Sequence, residues 1–562
     1  MTARPEGVPP AKLPSERLPV GGAMRVMGSE TEYGIHAPSA PGANATMMSA
    51  RIIQAYATVT RQRAAGGAET RWDYTDEEPL HDARGWTLDR ASADPSQLTD
   101  QPPVLDAEAV ALAYGRQDLE LDGADESGSL LMNMVLGNGA RLYVDHAHPE
   151  YSSPEVTNPR DAVAWDAAGD LVALATVRKV AADASLPAIN LYKNNTDNKS
   201  VSYGSHENYL MPRSVPFGDI IRGLTPFFVS RQVVCGAGRV GLGQDSSTPG
   251  YQISQRADFF EAEVGLETTI RRPIINTRDE PHATADKYRR LHVIIGDANL
   301  SQVSNYLKFG TTAMVLSLIE AGQAPRIEVH EPVQALQAIS HDTSLTATVR
   351  LLDGRRVTAL DIQWMYYEAA AKLAQETGVS DSVSGDGHTH GVLERWEATL
   401  TDLGGDLSAA ASSVEWLAKK SLLEGYRNRD GLEWNDARLG LVDLQWSDIR
   451  PEKGLYYRML SRDRMQRVVD DADISRAVSE PPSDTRAFFR GRCVSSFGKD
   501  VVGASWDSVI FDVPGLGKLQ RVPTREPLRG TQALTGALFE RHGDAGSFLA
   551  ELLGQNPPQT KG

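Results

Sequence analysis

Residues 28–34 read Gly-Ser-Glu-Thr-Glu-Tyr-Gly, a short strand-like run that ends at a glycine. Side chains two positions apart in a strand share a face, so Glu30 and Glu32 project together. Two neighbouring carboxylates repel each other unless a cation or water lies between them. The run therefore predicts a strand that carries a magnesium site, with two acids on a solvated surface as the alternative.

A second strand of the same character is predicted at residues 140–145, Ala-Arg-Leu-Tyr-Val-Asp. Arg141, Tyr143 and Asp145 share one face, and the residues between them are apolar. Glu150 follows shortly afterwards. Because Mg²⁺ prefers oxygen ligands and often binds carboxylates together with nucleotide phosphates, this strand is a second candidate for the same cation site. The alternative is a hairpin with a polar edge.

Two more predicted strands each carry a histidine and a polar residue on one face, His206 with Asn208 and Arg290 with His292. A lone histidine on a strand is more often a structural residue than a ligand. Here each histidine has a neighbour suited to phosphate or metal binding. The polar stretch at 276–282 is predicted to be either a loop beside the substrate or a salt-bridged turn.

A glycine-rich motif at residues 236–241, Gly-Ala-Gly-Arg-Val-Gly, matches the dinucleotide-binding pattern and follows a strand-like run at 227–234. That pattern also needs a helix that starts at the glycines. The next residues, 242–250, read Leu-Gly-Gln-Asp-Ser-Ser-Thr-Pro-Gly and cannot form one. The chain also lacks a G-x-x-x-x-G-K-[ST] phosphate loop, so an ATP site would need a different architecture.

The composition excludes several classes of protein. Lys and Arg number 57 against 74 Asp and Glu, a net charge of -17, which disfavours nucleic acid and anionic membranes as partners. The two cysteines exclude a disulfide framework and any zinc site with three or more thiolates. No apolar run is long enough to span a membrane, and the first residues lack the apolar core of a secretory signal. These features predict a cytoplasmic protein.

Composition also predicts the domain boundaries. Residues 1–23 are rich in proline and are expected to be a disordered tail, residues 24–480 a large catalytic domain, and residues 481–562 a small C-terminal domain.

A stretch at about 62–128, rich in Gly, Asp, Glu and Pro, is a long insertion with a short helix expected near 106–114. Because long loops without regular structure are usually functional or disordered, it is predicted to be a gate over the site, with an inert insert as the alternative. Strands and helices do not alternate regularly, which favours an α+β fold with a largely antiparallel sheet.

The order of these strands resembles the sheet cradle of the glutamine-synthetase-like carboxylate-amine ligases. Within that superfamily, residues 28–34, 138–151, 191–195 and 203–210 resemble the Pup ligase/Pup deamidase family, over a span from residue 24 to about residue 540. The deamidase branch of this family carries a long insertion between the first helix and the second strand, which the ligase branch lacks. Here the insertion at 62–128 resembles that of the deamidase branch.

The resemblance implies a glutamine-synthetase-like sheet cradle packed with helices, ATP and Mg²⁺ as cofactors, and Asp145 as the catalytic carboxylate. The residues implied to hold magnesium are Glu30, Glu32, Tyr143, Glu150, His206 and His292. The residues implied to contact the nucleotide are Gly28, Ser29, Glu30, Thr31, Glu32, Ser152, Ser153, Asn208, Arg290 and Trp506.

The implied activity is deamidation of the C-terminal glutamine of Pup and cleavage of the Pup–lysine isopeptide bond. The implied partners are Pup and pupylated proteins, with a functional link to the bacterial proteasome. Asp145 either attacks the carbonyl or acts as a general base. One alternative is a Pup ligase that forms a γ-glutamyl phosphate, which the insertion disfavours. The other is a Pup-binding adaptor without catalysis, which the complete set of site residues disfavours. Because Pup is acidic, docking is expected at a local basic or apolar groove, with residues 287–289 as one candidate.

Overall fold

The computed structural model describes residue 18 and residues 20–63, 70–101, 131–380 and 386–554. Its centre is a six-stranded sheet in which all neighbouring strands are antiparallel. The strands are β1 Met27–Glu32, β2 Asn133–Val135, β3 Arg141–Asp145, β4 His148–Ser152, β5 Ser205–Pro212 and β6 Tyr288–Val293. They lie in the order β6-β5-β1-β4-β3-β2. The predicted α+β fold with an antiparallel sheet is confirmed.

The pairing register puts the candidate site residues of these strands on one face. Glu30 lies opposite His206 on one side and Ser152 on the other. Asn208 lies opposite His292 in the next pair of strands. On the opposite face, Tyr209 and Met211 of β5 and Leu291 and Val293 of β6 belong to the main core. One face of the sheet is therefore free to carry chemistry while the other holds the fold together.

Helices surround the sheet and cover its apolar face. The helix Pro159–Ala181 begins with a capped first turn, since the Asn158 side chain accepts a hydrogen bond from the Asp161 amide and Pro159 takes the first helical position. The other helices before the C-terminal unit are Ala45–Arg63, Phe217–Cys235, Gln302–Glu320, Pro332–His341, Ala359–Thr377, Gly387–Gly404, Leu407–Ala410, Glu415–Asp430, Ala437–Trp446, Leu455–Leu460 and Asp471–Ala477. Within the described ranges, no helix has the length and apolarity to cross a bilayer.

Short strand pairs complete this part of the chain. They are Gly34–His36 with Asn190–Tyr192, His81–Asp82 with Trp86–Thr87, Arg239–Leu242 with Thr248–Gln252, Phe260–Gly265 with Arg272–Asn276, and Thr348–Arg350 with Arg356–Thr358. The glycines at 236–241 lead into the hairpin at Arg239–Leu242 and not into a helix, as predicted. The run before them was predicted as a strand, and this was wrong, because it belongs to the helix Phe217–Cys235. That helix is buried on nearly all sides from residue 223 onward, so its apolar pattern shows no amphipathic period.

The N-terminal boundary also needs correction. Residues 20–23 are described, and Ala23 is fully buried in the main core. The Ala23 amide donates a hydrogen bond to Thr389 Oγ1 at 2.8 Å. Order therefore begins before the predicted position at residue 24, because a buried backbone amide and a core contact hold this segment. Residues 1–17 lie outside the described residues.

The C-terminal unit combines helices with a sheet and takes one strand of that sheet from the insertion. Its helices are Ala487–Phe497, Gln532–Arg541 and Ala545–Leu552, and its strands are Val501–Ala504, Ser508–Phe511 and Gln520–Pro523. Arg71–Trp72 adds a fourth strand, parallel to Val501–Ala504, and Trp72 enters the core of the unit. The insertion is therefore part of the fold over residues 70–101. The helix predicted at 106–114 lies outside the described residues.

Candidate active site

Glu32, Asp145 and Glu150 form a cluster of carboxylates on the polar face of the sheet. They come from β1, β3 and β4, and each offers an oxygen within 4.8 Å of the others. Glu32 is held in place by the Gly204 amide, which donates a hydrogen bond to its Oε1 at 2.6 Å. The structure thus brings together two predicted metal ligands and the predicted catalytic carboxylate.

Glu30, His206 and His292 form a second cluster beside the first. Glu30 Oε2 lies 3.1 Å from His206 Nδ1 and 3.6 Å from His292 Nε2. Asn208 Nδ2 donates a hydrogen bond to Glu30 Oε1 at 3.0 Å. Burial lowers the pKa of His292 to about 3, so its ring is neutral at physiological pH and can offer a lone pair to a metal.

The electrostatics of the two clusters fit a bound cation. Burial and the charges of Asp145, Glu30 and Glu32 raise the pKa of Glu150 well above its usual range. Crowded carboxylates of this kind are relieved by a proton or by a cation between them. Glu32 and Glu150 offer the oxygen atoms that Mg²⁺ prefers. The donor set therefore fits a divalent cation.

Tyr143, which was predicted to hold magnesium, instead contacts one of the predicted magnesium ligands. Its hydroxyl donates a hydrogen bond to Glu150 Oε1 at 2.6 Å. Burial and the charge of Glu150 raise the pKa of Tyr143 well above its usual range, so the phenol keeps its proton. The structure therefore places Tyr143 as a donor that orients Glu150.

A cleft runs along the sheet between β1, β5 and the C-terminal unit. Most of the residues predicted to contact a nucleotide line it: Gly28, Ser29, Glu30, Ser152, Ser153, Asn208, Arg290 and Trp506. The ring of Trp506 meets the edge of Trp72 with centroids 5.0 Å apart, and the Arg490 guanidinium lies 4.8 Å from its centroid. Trp506 is therefore held firmly at the cleft although it comes from the C-terminal unit.

Two of the predicted nucleotide contacts need correction. Thr31 and Glu32 do not line this cleft. Both Ser29 Oγ and Thr31 Oγ1 donate hydrogen bonds to Asp166 Oδ1 at 3.2 Å, on the helical side of the sheet. For Thr31 the reason is the alternation of the strand, which turns its side chain away from the polar face. Glu32 does lie on the polar face, but it belongs to the carboxylate cluster with Asp145 and Glu150.

A larger cavity of about 620 Å³ opens beside the cleft. It is lined from the sheet by Asp145, Glu150, His206 and His292, and it shares Glu30, His282, Arg290 and Trp506 with the cleft. The insertion forms another wall through Tyr74, Glu77, Arg90, Pro95, Ser96, Leu98, Thr99 and Gln101. The volume is typical of a small-molecule site. The insertion therefore lies directly at the candidate active site.

The stretch at 276–282, predicted as a loop beside the substrate or a salt-bridged turn, supports the insertion. Thr277 Oγ1 donates a hydrogen bond to Asp82 Oδ2 at 2.6 Å. Arg278 donates to Thr99 Oγ1 at 3.0 Å and also lines the large cavity. This stretch therefore holds the insertion against the site.

Sequence reasoning missed three features of the site. Arg141 was placed on the correct face without a role, yet its guanidinium stacks 3.8 Å from the Tyr143 ring centroid and lines the cavity. Glu77, Glu280 and His282 form a third cluster, and burial together with Glu280 raises the pKa of Glu77 to about 7. The third feature is Glu155, which binds two arginines of the C-terminal unit. Arg141 had a signal in the sequence, its place in the strand alternation, and Glu280 and His282 lie in the polar stretch at 276–282. Glu77 and Glu155 had none.

The model of the Pup-ligase protein family matches residues 25–510 of the chain. The chain belongs to this family. The depupylase of Acidothermus cellulolyticus is 54% identical over 534 residues, which cover 94% of this chain and 99% of that protein. The Pup deamidase/depupylase of Mycobacterium tuberculosis is 51% identical over 535 residues, with coverage of 94% and 99%.

Solved structures of the Pup-ligase family share the fold along most of the chain. The crystal structure of the complex between Pup and its ligase PafA matches with a TM-score of 0.71 at 30% identity and covers 95% of both chains. The structure of PafA in complex with ADP matches with a TM-score of 0.66 at 33% identity and covers 86% of this chain and 98% of that one. The resemblance drawn from the sequence motifs is confirmed.

Proposed function

We propose that this chain is an ATP- and Mg²⁺-dependent amidohydrolase that acts on Pup. It converts the C-terminal glutamine of Pup to glutamate and cleaves the isopeptide bond between that glutamate and a substrate lysine. Relatives named depupylase and Pup deamidase/depupylase, which match along 94% of the chain, support this activity. The PafA–Pup complex supports Pup as the partner. Pupylated proteins are the second class of substrate, and the bacterial proteasome in the cytoplasm is the functional context.

The observation that carries the proposal is the position of Asp145. Its side chain is 23% exposed and lines the large cavity beside the Glu32 and Glu150 carboxylates. Burial would raise the pKa of Asp145, but the charge and hydrogen bond of His146 outweigh it and lower the pKa below its usual value. An ionised carboxylate that faces a cavity can attack a carbonyl or take a proton from water. Both proposed reactions occur at the same side-chain carbonyl, so one carboxylate serves both.

The remaining residues hold the cofactors in this proposal. Glu30, Glu32, Glu150, His206 and His292 hold magnesium, and Tyr143 orients Glu150. The nucleotide occupies the cleft between β1 and Trp506, where the Arg290 guanidinium offers a charge to its phosphates. The ADP complex of PafA supports a nucleotide in this fold. When bound, magnesium would supply the positive charge that the crowded carboxylates and the ATP phosphates need, and the nucleotide would be a cofactor that is not consumed at each turnover.

The insertion favours hydrolysis over ligation. Its described residues form one wall of the large cavity, next to Asp145. A wall of this kind controls the access of water and of the substrate amine, which decides between hydrolysis and bond formation.

The test is cleavage of a defined Pup–lysine conjugate by the purified chain with ATP and Mg²⁺. The proposal expects free Pup that ends in glutamate, together with the released lysine, while little ATP is consumed per bond cleaved. Formation of conjugates from glutamate-ended Pup with stoichiometric release of ADP would instead identify a ligase. Binding of Pup without either reaction would identify an adaptor.

A further inference from the structure

The turn between β3 and β4 contains a histidine in an unusual backbone conformation. His146 has φ 51°, in the left-handed region, which is uncommon for residues other than glycine although asparagine, aspartate and histidine are enriched there. It directly follows Asp145 and directs its ring back to that carboxylate, with Nδ1 2.9 Å from Asp145 Oδ2. Strained residues of this kind persist where the surrounding structure holds them, and they cluster at functional sites.

The second ring nitrogen of His146 binds the insertion. Its Nε2 lies 3.1 Å from the Ser96 carbonyl oxygen. A carbonyl can only accept a hydrogen bond, and an ionised carboxylate can only accept one. Both ring nitrogens must therefore donate, so the two contacts together select the imidazolium form. The ring therefore connects the insertion to the candidate catalytic carboxylate through two hydrogen bonds.

The Ser96 carbonyl is presented by a well-defined turn. Asp94 Oδ1 accepts hydrogen bonds from the amide and the hydroxyl of Ser96 at 2.9 and 2.6 Å, and the Asp94 amide donates to Gln97 Oε1 at 3.0 Å. These contacts form a capping box on the turn Pro95–Gln97. Arg278 then fastens the turn from outside, donating to the Gln97 carbonyl at 3.3 Å.

We infer that His146 is a positioning residue, which fixes the Asp145 carboxylate for reaction only while the Pro95–Gln97 turn of the insertion is docked on it. This inference rests on the proposed hydrolase function. The simpler alternative is a partly exposed ion pair without consequence, since the His146 side chain is 36% exposed and exposed pairs contribute little to stability. The two interpretations predict different turnover rates for a His146 variant but the same stability.

His146→Asn distinguishes the two interpretations, because asparagine tolerates a positive φ but its single amide nitrogen cannot reach the two partners that the two ring nitrogens contact. We expect kcat for conjugate cleavage to fall by about 10- to 100-fold, the effect of a misplaced reacting group, while KM for Pup and the affinity for Mg-ATP stay the same. His146→Gly keeps the backbone conformation and leaves space for a ring, so added imidazole should restore part of kcat. His330→Asn is the matched control, since His330 also lies beside an acid, with Nδ1 3.5 Å from Glu331 Oε2.

A double-mutant cycle tests the link to the insertion. Asp94→Ala removes the cap that presents the Ser96 carbonyl and should lower kcat in the wild-type background. It should have no further effect in the His146→Asn background, because both changes break one link. Unchanged kcat in His146→Asn, or fully additive effects, would overturn the inference.

One readout does not depend on activity. In ¹⁵N-histidine-labelled protein at neutral pH, the signal that His146→Asn removes should show two protonated ring nitrogens, and Asp94→Ala should shift it. A single protonated nitrogen would contradict the link. If the wild-type chain does not cleave the conjugate, the proposed function fails, and this spectrum still decides whether the link exists.

Discussion

The ion pairs of Glu155 with two arginines should decide whether the C-terminal unit stays docked against the central sheet. Arg486 Nε lies 2.8 Å from Glu155 Oε1, and Arg490 donates to the same carboxylate. The side chains of the two arginines are only 4% and 1% exposed. The guanidinium of Arg490 also donates to the Trp506 carbonyl at 3.1 Å. Replacement of Glu155 by Gln would leave two buried cations without their counter-charge beside the nucleotide cleft.

The expected loss of stability follows from the burial of the two arginines. Removal of one partner from a buried ion pair typically costs about 3–5 kcal/mol, because an uncompensated charge remains. The pKa of Glu155 gives the pH dependence. Burial would raise this pKa, but Arg490 and Arg486 lower it to about 2 from the usual 4.5. A lowered folded-state pKa means that the stabilisation is complete above about pH 4.5 and is lost as the pH falls toward 2.

Thermal and urea unfolding of Glu155→Gln, followed by tryptophan fluorescence, measure this cost, and calorimetry measures ATP affinity. We expect a lower midpoint for the C-terminal unit at pH 7 and weaker ATP binding, because Trp506 loses its support. Glu551→Gln is the matched control, since Glu551 pairs with Arg541 in the same unit but at the exposed surface. If Glu155→Gln is no less stable than this control, the ion pairs do not hold the unit.

Three further predictions concern the cradle and the insertion. Glu30→Ala and His206→Ala should each weaken ATP binding in the presence of Mg²⁺ and change it little without Mg²⁺; unchanged calorimetry in both would contradict the cation site. Thr31→Val should lower stability by about 1.5–3 kcal/mol, the value of a hydrogen bond to a charged group, and leave ATP affinity unchanged, because Thr31 binds Asp166 behind the sheet. A clear loss of ATP affinity with unchanged stability would show instead that Thr31 contacts the nucleotide. Deletion of residues 66–126 should destabilise the C-terminal unit, because it removes Trp72 from that core; unchanged unfolding of the deletion variant would show that the borrowed strand is dispensable.

The central sheet could be predicted from the sequence because strand alternation is a local rule. The alternation puts Glu30 with Glu32, Tyr143 with Asp145, His206 with Asn208 and Arg290 with His292 on one face of their own strand. The pairing register then brings these pairs onto the same face of the sheet. The same rule, applied fully, would have turned Thr31 away from the nucleotide. Its assignment came from the motif, which does not distinguish the two faces.

The rest of the site depends on contacts that no local pattern encodes. Trp72 joins the C-terminal core across more than 400 positions of sequence, and two-residue strands such as Arg71–Trp72 have no period to detect. Glu77 and His282 meet only because the stretch at 276–282 docks the insertion. The contact between His146 and Ser96 spans 50 positions and uses a backbone carbonyl, which any residue type could provide.

The most direct test of the account is the mass of Pup after incubation with the chain. Glutamine-ended Pup, ATP and Mg²⁺ should yield Pup that is heavier by about one dalton, because an amide becomes an acid. Asp145→Asn should bind Mg-ATP normally yet lose this conversion by roughly two to four orders of magnitude, as expected for a group that acts directly in bond cleavage. Unchanged Pup mass with the wild-type chain, or near-normal conversion by Asp145→Asn, would contradict the account.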